Sequence, residues 1–377
     1  MKLGVPNQSA QGEKRVALVP DVARKLAARG VDAVVEAGAG ELSHIPDSAY
    51  TDAGATVGSA EDAWGADVVA VVRAPTSEEI ARLGPDSVLI GFLNPLTAPD
   101  TSRALASQGV TAFAMEAIPR ISRAQAMDAL SSQASIGGYR AVLLAAMDMG
   151  RFFPMLTTAA GTIKPASVLV LGAGVAGLQA IATARRLGAV VTAFDVRAAV
   201  REQVESLGAR FLDLNLEDAD GEGTGGYAKE LAEDAAKRQQ DALAEAIGRF
   251  DVVITTAQVP GRRAPLLVTA AAVENMKPGS VIVDMAGDSG GNCELTEPGE
   301  TVVKHDVTIA SPLNLPADMP DHASQLYSRN VSALLELMVK DGELSLDFED
   351  AVIAGACVTR DGEIVHEGAK QAAGAAT

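Results

Sequence analysis

The chain has 377 residues, enough for two domains of ordinary size, and 48% of its residues are hydrophobic, which suffices for two cores. A net charge of −18 and an aromatic content of 3% argue against a nucleic-acid-binding protein and against direct binding to an anionic membrane surface. The two cysteines, Cys293 and Cys357, form neither a C-x-x-C motif nor a cluster with metal-ligand spacing, so we expect reduced thiols, a cytoplasmic location and no metal.

The first third of the chain alternates short apolar strands with helices. A helix is predicted over residues 21–29, closed by Gly30, and strands are predicted at residues 3–5, 31–36, 68–72, 88–93 and 110–114. Continuous apolar strands that alternate with helices predict a parallel sheet covered on both faces.

A long helix is predicted over residues 131–151, and we expect it to bridge two domains. Six strands follow it, at residues 168–171, 190–194, 210–212, 252–255, 281–285 and 307–310. This order predicts a doubly wound sheet that binds its ligand at the carboxyl ends of the strands. The predicted fold is therefore α/β, with two doubly wound, parallel-sheet, Rossmann-like domains joined by long helices.

Two further segments complete the predicted organisation. Residues 213–240 are Gly-rich and acidic, which favours a long mobile loop followed by a helix. After Pro312, an amphipathic helix is predicted over residues 324–339, then strands around 352–358 and 364–365. We expect this tail to return to the first domain, so that residues 1–130 plus 315–377 form one domain and 131–314 the other.

The strongest local motif is a glycine turn between a predicted strand and a predicted helix. Gly172, Gly174 and Gly177 have G-x-G-x-x-G spacing, which allows a tight turn, close approach of a pyrophosphate and close helix–strand packing, respectively. The helix that follows, beginning near Val175 and Ala176, directs its unpaired N–H groups and positive dipole end at the phosphates. The motif predicts dinucleotide binding.

A carboxylate stands where such a motif needs one. Asp195 ends the second strand of this domain, 18 residues after Gly177, where it can accept hydrogen bonds from the adenosine ribose hydroxyls. Its charge would repel a 2′-phosphate, so NAD(H) is favoured over NADP(H), although Arg197 weakens that preference.

A membrane span is the competing interpretation of this region. Residues 166–184 carry no charge and are long enough to resemble a transmembrane helix. The glycine turn inside the segment and Arg185 and Arg186 directly after it favour a buried strand–helix unit, so we expect no direct membrane insertion.

Residues 115–140, which lead into the predicted bridging helix, form the most unusual stretch of the sequence. The simpler interpretation is a polar loop with a helix N-cap at Ser131 or Ser132. The sharper hypothesis is a loop at the cleft between the domains that binds a nicotinamide carboxamide and ribose. The side chains available for this are Arg120, Arg123, Gln125, Asp128, Ser131, Ser132 and Gln133.

Long motifs in one order resemble a known family. They read PRISRAQAMDALSSQ, GYRAV, GAGVAGLQAIATARRLGAVVTAFDVR, GGYAKE, MKPGSVIVDMA and GGNCELTEPG. Across nearly the whole chain they resemble the NAD(H)-binding α-subunit (domain I) of proton-translocating nicotinamide nucleotide transhydrogenase, within a superfamily that includes the alanine dehydrogenases.

The resemblance implies a function and partners. A homodimer would bind NADH and dock the NADP(H)-binding domain of a β-subunit, and hydride would pass directly between the two nicotinamide rings, in the Re/Si-specific transhydrogenase reaction. Membrane-spanning subunits would couple this to proton translocation, so the chain would lie in the cytoplasm, peripheral to the inner membrane. Such chemistry needs two rings in near-attack geometry rather than a nucleophile or metal.

The resemblance also implies site residues. Arg120, Gln125, Asp128 and Ser131 would act at the nicotinamide end, with Gln125 reaching the partner's nucleotide. The remaining NAD contacts that it implies are Ile121, Ser122, Arg123, Gly172, Gly174, Val175, Ala176, Gly177, Asp195, Val196, Arg197, Gly226, Tyr227, Gln239 and Gln258. Gln258 departs from the apolar residue usual in the family, and Tyr227 matches the tyrosine of a mobile loop.

Two other functions remain as alternatives. An alanine dehydrogenase would need a histidine and a lysine in the first domain, but GFLNPLT at residues 91–97 has no histidine and VVRAP offers only Arg73. A non-catalytic NAD(H) sensor is disfavoured because sensing alone would not need the nicotinamide-end loop, yet Gln125, Asp128 and Tyr227 are all present.

Overall fold

The structure, a computed structural model, describes residues 1–9, 12–214 and 233–375, without the side chains of 233–236 and 375. The chain forms two compact units. Unit 1 comprises Met1–Gln133 and Ala317–Thr377, and unit 2 comprises Ala134–Pro316. Among the described residues, no helix combines the length and apolar character that crossing a bilayer requires.

The strands are short and mostly buried. In chain order they are β1 Lys2–Val5, β2 Asp32–Glu36, β3 Thr56–Gly58, β4 Val68–Ala70, β5 Val88–Gly91, β6 Thr111–Ala114, β7 Leu156–Thr158, β8 Gly161–Ile163, β9 Ser167–Leu171, β10 Val190–Phe194, β11 Arg210–Phe211, β12 Val252–Thr255, β13 Val281–Asp284, β14 Thr301–Lys304, β15 Val307–Ala310, β16 Val339–Lys340, β17 Glu343–Leu344, β18 Cys357–Arg360 and β19 Glu363–Ile364.

The helices vary from one turn to more than five. They are α1 Pro20–Ala27, α2 Asp47–Asp52, α3 Ala60–Trp64, α4 Ser77–Ile80, α5 Pro99–Ser107, α6 Ala129–Asp148, α7 Val175–Arg186, α8 Arg201–Ser206, α9 Glu233–Ile247, α10 Ala270–Glu274, α11 Pro320–Met338, α12 Ala351–Ala356 and α13 Glu367–Ala375.

Unit 1 contains an eight-stranded sheet in the order β19-β18-β6-β5-β4-β1-β2-β3. Strands β1 to β6 are parallel, as their continuous apolar sequences predict, with Leu3 of β1 opposite Ala33 of β2 and Val68 of β4. The strand order reverses at β1, where loops from both halves meet at the carboxyl ends of the strands. The C-terminal segment adds β18 and β19 as an antiparallel edge.

Unit 2 contains a seven-stranded sheet in the order β11-β10-β9-β12-β13-β15-β14. The six predicted strands are all present and parallel in doubly wound order, which confirms the α/β fold class. The sequence analysis missed β14, which pairs antiparallel with β15 at the edge and is largely exposed. It also missed the exposed hairpin of β7 and β8, whose polar and small residues lack an alternating pattern.

The prediction of a strand over residues 352–358 is wrong in its first half. Residues 351–356 form helix α12, because the Asp350 carboxylate accepts hydrogen bonds from the Val352 and Ile353 N–H groups and caps it. The run AVIAGA is apolar throughout, and periodicity cannot distinguish a buried strand from a short buried helix. The strand β18 starts only at Cys357.

The long helix α6 begins earlier than predicted. Its cap is Asp128, whose carboxylate accepts hydrogen bonds from the Ser131 N–H at 2.9 Å and the Ser131 hydroxyl at 2.6 Å, rather than Ser131 or Ser132. The helix continues across the boundary between Gln133 and Ala134, where the two units divide.

Candidate functional site

The glycine turn of unit 2 lies between β9 and α7, as its spacing predicts. Gly172 has a φ of 100°, and a Cβ there would lie 2.6 Å from the Thr256 hydroxyl. A Cβ on Gly177 would lie 1.9 Å from the Gly172 carbonyl oxygen. Backbone conformation and packing therefore require glycine at both positions.

Gly174 has neither requirement. Its φ is −76°, and a Cβ would meet no described atom within 4 Å. No described side chain caps α7 here, and Val175 in its first turn is 41% exposed. Neither packing nor backbone conformation therefore requires glycine at this position. A glycine at an uncapped helix start does allow a phosphate to approach the backbone closely.

The start of α7 is supported by α6, a contact that the sequence analysis missed. A Cβ on Gly138 would lie 2.1 Å from the Ala176 carbonyl oxygen, so α6 touches the backbone of α7 directly. A Cβ on Gly137 would lie 3.0 Å from the Met285 side chain. The GG pair of IGGYR therefore lets α6 hold the glycine turn in place.

Asp195 lies at the carboxyl end of β10 beside the turn, as predicted. Its carboxylate accepts hydrogen bonds from the Ala173 N–H at 2.7 Å and from the Arg197 backbone N–H at 2.9 Å. The Arg197 guanidinium donates through Nε and Nη2, both at 2.9 Å. These four bonds use the usual capacity of a carboxylate, so ribose hydroxyls would have to displace the Arg197 side chain.

The loop after β12 is fixed by a buried polar network that the sequence analysis did not identify. Asp284 is fully buried and accepts hydrogen bonds from the Thr255 and Thr296 hydroxyls and from the N–H groups of Asn292 and Cys293. The Asn292 amide in turn bonds both the N–H and the carbonyl of Ala257. The network therefore holds the loop that follows β12 next to the glycine turn.

Two other predicted contacts, Gln258 and Gln239, lie in the described part of unit 2. Gln258 is exposed, and its side chain donates to the Met285 carbonyl at 3.1 Å, which explains how the polar departure is accommodated. Gln239 on α9 is 4% exposed, and its Oε1 has no hydrogen-bond partner among the described residues. A buried acceptor without a donor fits a ligand contact. Gly226 and Tyr227 lie outside the described residues.

Unit 1 contains a pocket of ≈ 280 Å³ formed by the PRISRAQAMD segment. The structure brings together five of the predicted NAD contacts in its lining, which consists of Ile118, Pro119, Arg120, Ile121, Ser122, Ala124, Gln125 and Asp128. This volume suits a single ring or ribose rather than a whole dinucleotide.

The polar groups of this pocket are unevenly engaged. Asp128 is held by Ser131, as described above. Gln125 is exposed, and within the described chain its side-chain amide makes no hydrogen bond. Arg123 forms a two-pronged ion pair with Asp350, at 2.9 and 2.7 Å, and hydrogen bonds from this guanidinium lower the pKa of Asp350 to about 2. The pocket can therefore bind and orient a polar ring.

Two guanidinium groups of unit 1 that could bind a substrate carboxylate are already paired with carboxylates of the chain itself. Arg15 is buried and donates to both oxygens of Glu13, at 2.8 and 2.7 Å. Arg73 donates to both oxygens of Glu79, at 3.0 and 2.8 Å. Both guanidiniums are thus committed to internal carboxylates.

No histidine occupies the position that an alanine dehydrogenase would use. The backbone N–H groups of Leu93 and Asn94 donate to Glu116 instead, and burial raises the pKa of Glu116 to about 7. His44 is exposed and pairs with Asp321 at 2.7 Å. Among the described residues, no cluster of three or more His, Cys, Asp or Glu side chains could hold a metal ion.

Comparisons with known proteins cover both units. Residues 4–137 match the N-terminal domain, and residues 141–367 the C-terminal domain, of the family described as alanine dehydrogenase/PNT. The chain is 49% identical over 376 residues to an NAD(P) transhydrogenase subunit alpha chain of Rhodospirillum rubrum, covering 97% of this chain and 98% of that protein.

Solved structures agree with this. The chain is similar to the crystal structure of transhydrogenase from Sinorhizobium meliloti, with a TM-score of 0.86 at 43% identity, covering 97% of this chain and 99% of that one. It is also similar to an L-alanine dehydrogenase structure, with a TM-score of 0.83 at 29% identity over the full length of both chains.

Proposed function

The chain belongs to the alanine dehydrogenase/PNT family, and we propose that it is the NAD(H)-binding component of a nicotinamide nucleotide transhydrogenase. Hydride passes directly between NADH on this chain and NADP⁺ on a partner subunit. The observation that carries the proposal is the pocket of unit 1. It offers the amide of Gln125, which makes no hydrogen bond to the described residues, whereas the guanidinium groups of Arg15 and Arg73 are bound to carboxylates of the chain.

Unit 2 is proposed to bind the pyrophosphate and adenosine of NAD(H). The open backbone at Gly174, with Val175 and Ala176 in the first turn of α7, accommodates the phosphates. Asp195 accepts from the ribose hydroxyls once Arg197 moves aside, with Val196 between them, and its charge favours NAD(H) over NADP(H). The Gln239 oxygen, which has no partner among the described residues, and the loop at Gln258 supply further contacts.

The nicotinamide end is assigned to the loop of unit 1. Arg120, Ile121 and Ser122 line the site, and Asp128, fixed by Ser131, presents its remaining oxygen lone pairs to the carboxamide or ribose. The bound cofactor supplies the hydride at its ring carbon. The chain's own residues orient the ring and exclude water, which is the whole demand of a direct transfer.

The partners follow from the same proposal. An NADP(H)-binding domain of a β-subunit receives the hydride near Gln125. Separate membrane-spanning subunits couple the transfer to proton translocation, which places this chain at the cytoplasmic face of the inner membrane.

A homodimer is proposed from the surface of unit 2. Four large apolar side chains within residues 147–163 are exposed, namely Met147, Phe152, Met155 and Ile163, with exposed fractions of 48–73%. The β7–β8 hairpin in this segment buries no side chain, and an isolated two-stranded hairpin is only marginally stable in water. A second copy that covers the segment accounts for both features.

The test replaces Gln125 by Asn in the complex of this chain with its NADP(H)-binding partner. The shorter side chain keeps the amide but withdraws it from the partner's nucleotide. We expect NADH affinity within about twofold of wild type and hydride transfer slower by roughly tenfold or more, because ring apposition is lost.

Gln371→Asn, on an exposed face of α13, is the matched control and should leave both quantities unchanged. Transfer at the wild-type rate in Gln125→Asn would remove this residue from the mechanism. Oxidation of L-alanine by the wild-type chain with NAD⁺, at an ordinary enzymatic rate, would establish the alanine dehydrogenase alternative instead.

A further inference from the structure

We propose that Asp350, in the C-terminal segment of unit 1, is a positioning residue for the nicotinamide loop, acting through the Arg123 guanidinium. The inference rests on the proposed function. Within that function, the inference assigns Arg123 to the support of the loop rather than to binding of the nucleotide. Arg123 and Asp350 are 227 residues apart in the chain, yet Nη1 and Nη2 meet the two carboxylate oxygens at 2.9 and 2.7 Å. This planar two-pronged geometry fixes orientation as well as distance.

Asp350 is itself held in place. The same carboxylate accepts from the N–H groups of Val352, at 2.7 Å, and Ile353, at 3.4 Å, at the start of α12. Val352 and Ile353 are fully buried in the core of unit 1. The carboxylate that grips Arg123 is therefore anchored to a packed helix and has little freedom to follow the loop.

The backbone at the start of the loop also contacts α12. A Cβ on Gly355 would lie 2.5 Å from the Pro119 ring, so the helix and the loop touch without room for a methyl group. The same short helix therefore holds the loop at two points. Gly355 packs against Pro119, and the capping residue Asp350 binds Arg123.

Helix α11 provides a second contact with the loop, on the C-terminal side of Gln125. The Asn330 amide donates to the Ala126 carbonyl at 2.8 Å and accepts from the Ser132 hydroxyl at 2.7 Å. Gln125 therefore lies between two residues that the C-terminal segment holds. Arg123 is bound by the Asp350 carboxylate, and Ala126 by the Asn330 amide.

The loop needs external support because its own hydrogen bonding is weak. Residues Ser122–Met127 form a 3₁₀ helix, whose geometry is poorer than that of an α-helix. Its flanking backbone bonds are Ala124 N–H to Ile121 carbonyl at 3.0 Å and Asp128 N–H to Gln125 carbonyl at 3.3 Å. Ala124 and Met127 are buried in the core of unit 1, and contacts from the C-terminal segment add to this support for Gln125.

Asp350→Asn separates the two tasks of the carboxylate. Asn is as good an N-cap as Asp, so α12 remains capped, but the charge-assisted fork to Arg123 is lost. Arg123→Lys keeps the positive charge and loses the fork. Glu336→Gln is the control, because it breaks a comparably exposed ion pair with Arg29 in unit 1, away from the loop.

Hydrogen exchange of the full-length chain measures positioning directly. In Asp350→Asn we expect the amides of residues 122–128 to exchange about fivefold faster or more, those of residues 351–356 to keep their wild-type rates, and Glu336→Gln to match wild type. Arg123→Lys should be intermediate. The double variant Asp350→Asn/Arg123→Lys should exchange no faster than Asp350→Asn, since both changes remove one interaction.

The same variants are then assayed for hydride transfer from NADH in the complex with the NADP(H)-binding partner. Asp350→Asn should lower kcat about tenfold with NADH affinity unchanged, a split that general destabilisation does not produce. Unchanged exchange in residues 122–128, or faster exchange with an unchanged kcat, would overturn the inference. Absence of transfer by the wild-type complex would refute the proposed function instead, and the exchange result would still show whether Asp350 holds the loop.

Discussion

Asp195 shows at the scale of one residue how a predicted contact and its observed partners differ. Its position after β10 follows from the spacing of the glycine motif. Its engagement by the Arg197 guanidinium does not, because a sequence gives no rotamer for a side chain two residues away. The pair leaves the carboxylate only 5% and the guanidinium 14% exposed, so ribose binding must exchange one set of hydrogen bonds for another.

Replacing Asp195 by Asn tests this assignment. The neutral amide accepts more weakly from ribose hydroxyls and no longer repels a 2′-phosphate. We expect the Kd for NADH to rise about tenfold, in line with ~1.5–3 kcal/mol for hydrogen bonds to a charged group, and the preference for NADH over NADPH to shrink. Titration of both nucleotides by fluorescence measures the two effects.

Glu245→Gln provides the control, since it removes an exposed carboxylate on α9 that lies 3.9 Å from Arg249. Equal NADH affinities for Asp195→Asn and wild type would show that the ribose is bound elsewhere.

The predicted residues that line the pocket of unit 1 lie within one short segment. Arg120, Gln125 and Asp128 are close in the chain, so a local motif was sufficient to group them. Asp350, more than 200 residues further on, was not identified because only the return of the C-terminal segment brings it to the loop. The glycine spacing could be interpreted from the sequence because the turn that it forms is local. Contacts between distant segments could not, because they depend on the fold.

At the scale of elements, the loop after β12 depends on a side chain from another segment. Asn292 is fully buried and makes three hydrogen bonds to backbone groups of Ala257 and Pro265. The sequence contains GGNCELTEPG as a motif, but nothing in its pattern shows that the asparagine is turned toward a loop 35 residues earlier. Burial and hydrogen bonding, which require the fold, reveal its role.

Asn292→Ala should therefore destabilise unit 2 and loosen its nucleotide site together. Loss of the three hydrogen bonds that the buried Asn292 amide makes to the backbone costs about 1–3 kcal/mol, which corresponds to a Tm lower by roughly 2–10 °C. Calorimetry measures the first effect and NADH titration the second, where we expect weaker binding.

Asn275→Ala, an exposed asparagine at the end of α10, should change neither quantity. A wild-type Tm for Asn292→Ala would show that the three hydrogen bonds add nothing to stability.

The short elements were the least predictable. The run AVIAGA was assigned to a strand because it is apolar throughout, and the cap at Asp350 that makes it a helix is equally compatible with a turn before a strand. Edge strand β14 lacks buried alternation and left no signal. Long alternating strands and helices were predicted well because burial on both faces of a parallel sheet imposes a continuous apolar sequence.

At the scale of the whole molecule, the exposed apolar segment of unit 2 leads to a prediction about assembly. Met155→Lys combined with Ile163→Lys should convert the proposed homodimer to monomers, because two charges would have to be buried at the interface. Sedimentation velocity measures the mass. Val303→Lys, at a residue 66% exposed on β14, is the control and should remain dimeric. A double-lysine variant that stays dimeric would place the interface on another surface.

The central claim is that hydride moves directly from one nicotinamide to another without a proton donor on this chain. The most direct test mixes this chain, its NADP(H)-binding partner, NADP⁺ and NADH deuterated at the transferred position of C4, in ordinary water. Mass spectrometry of the product should show one deuterium in each NADPH formed, and no NADPH when this chain is omitted. NADPH that carries no deuterium would contradict the account, because the transferred hydrogen would then have come from solvent rather than from NADH.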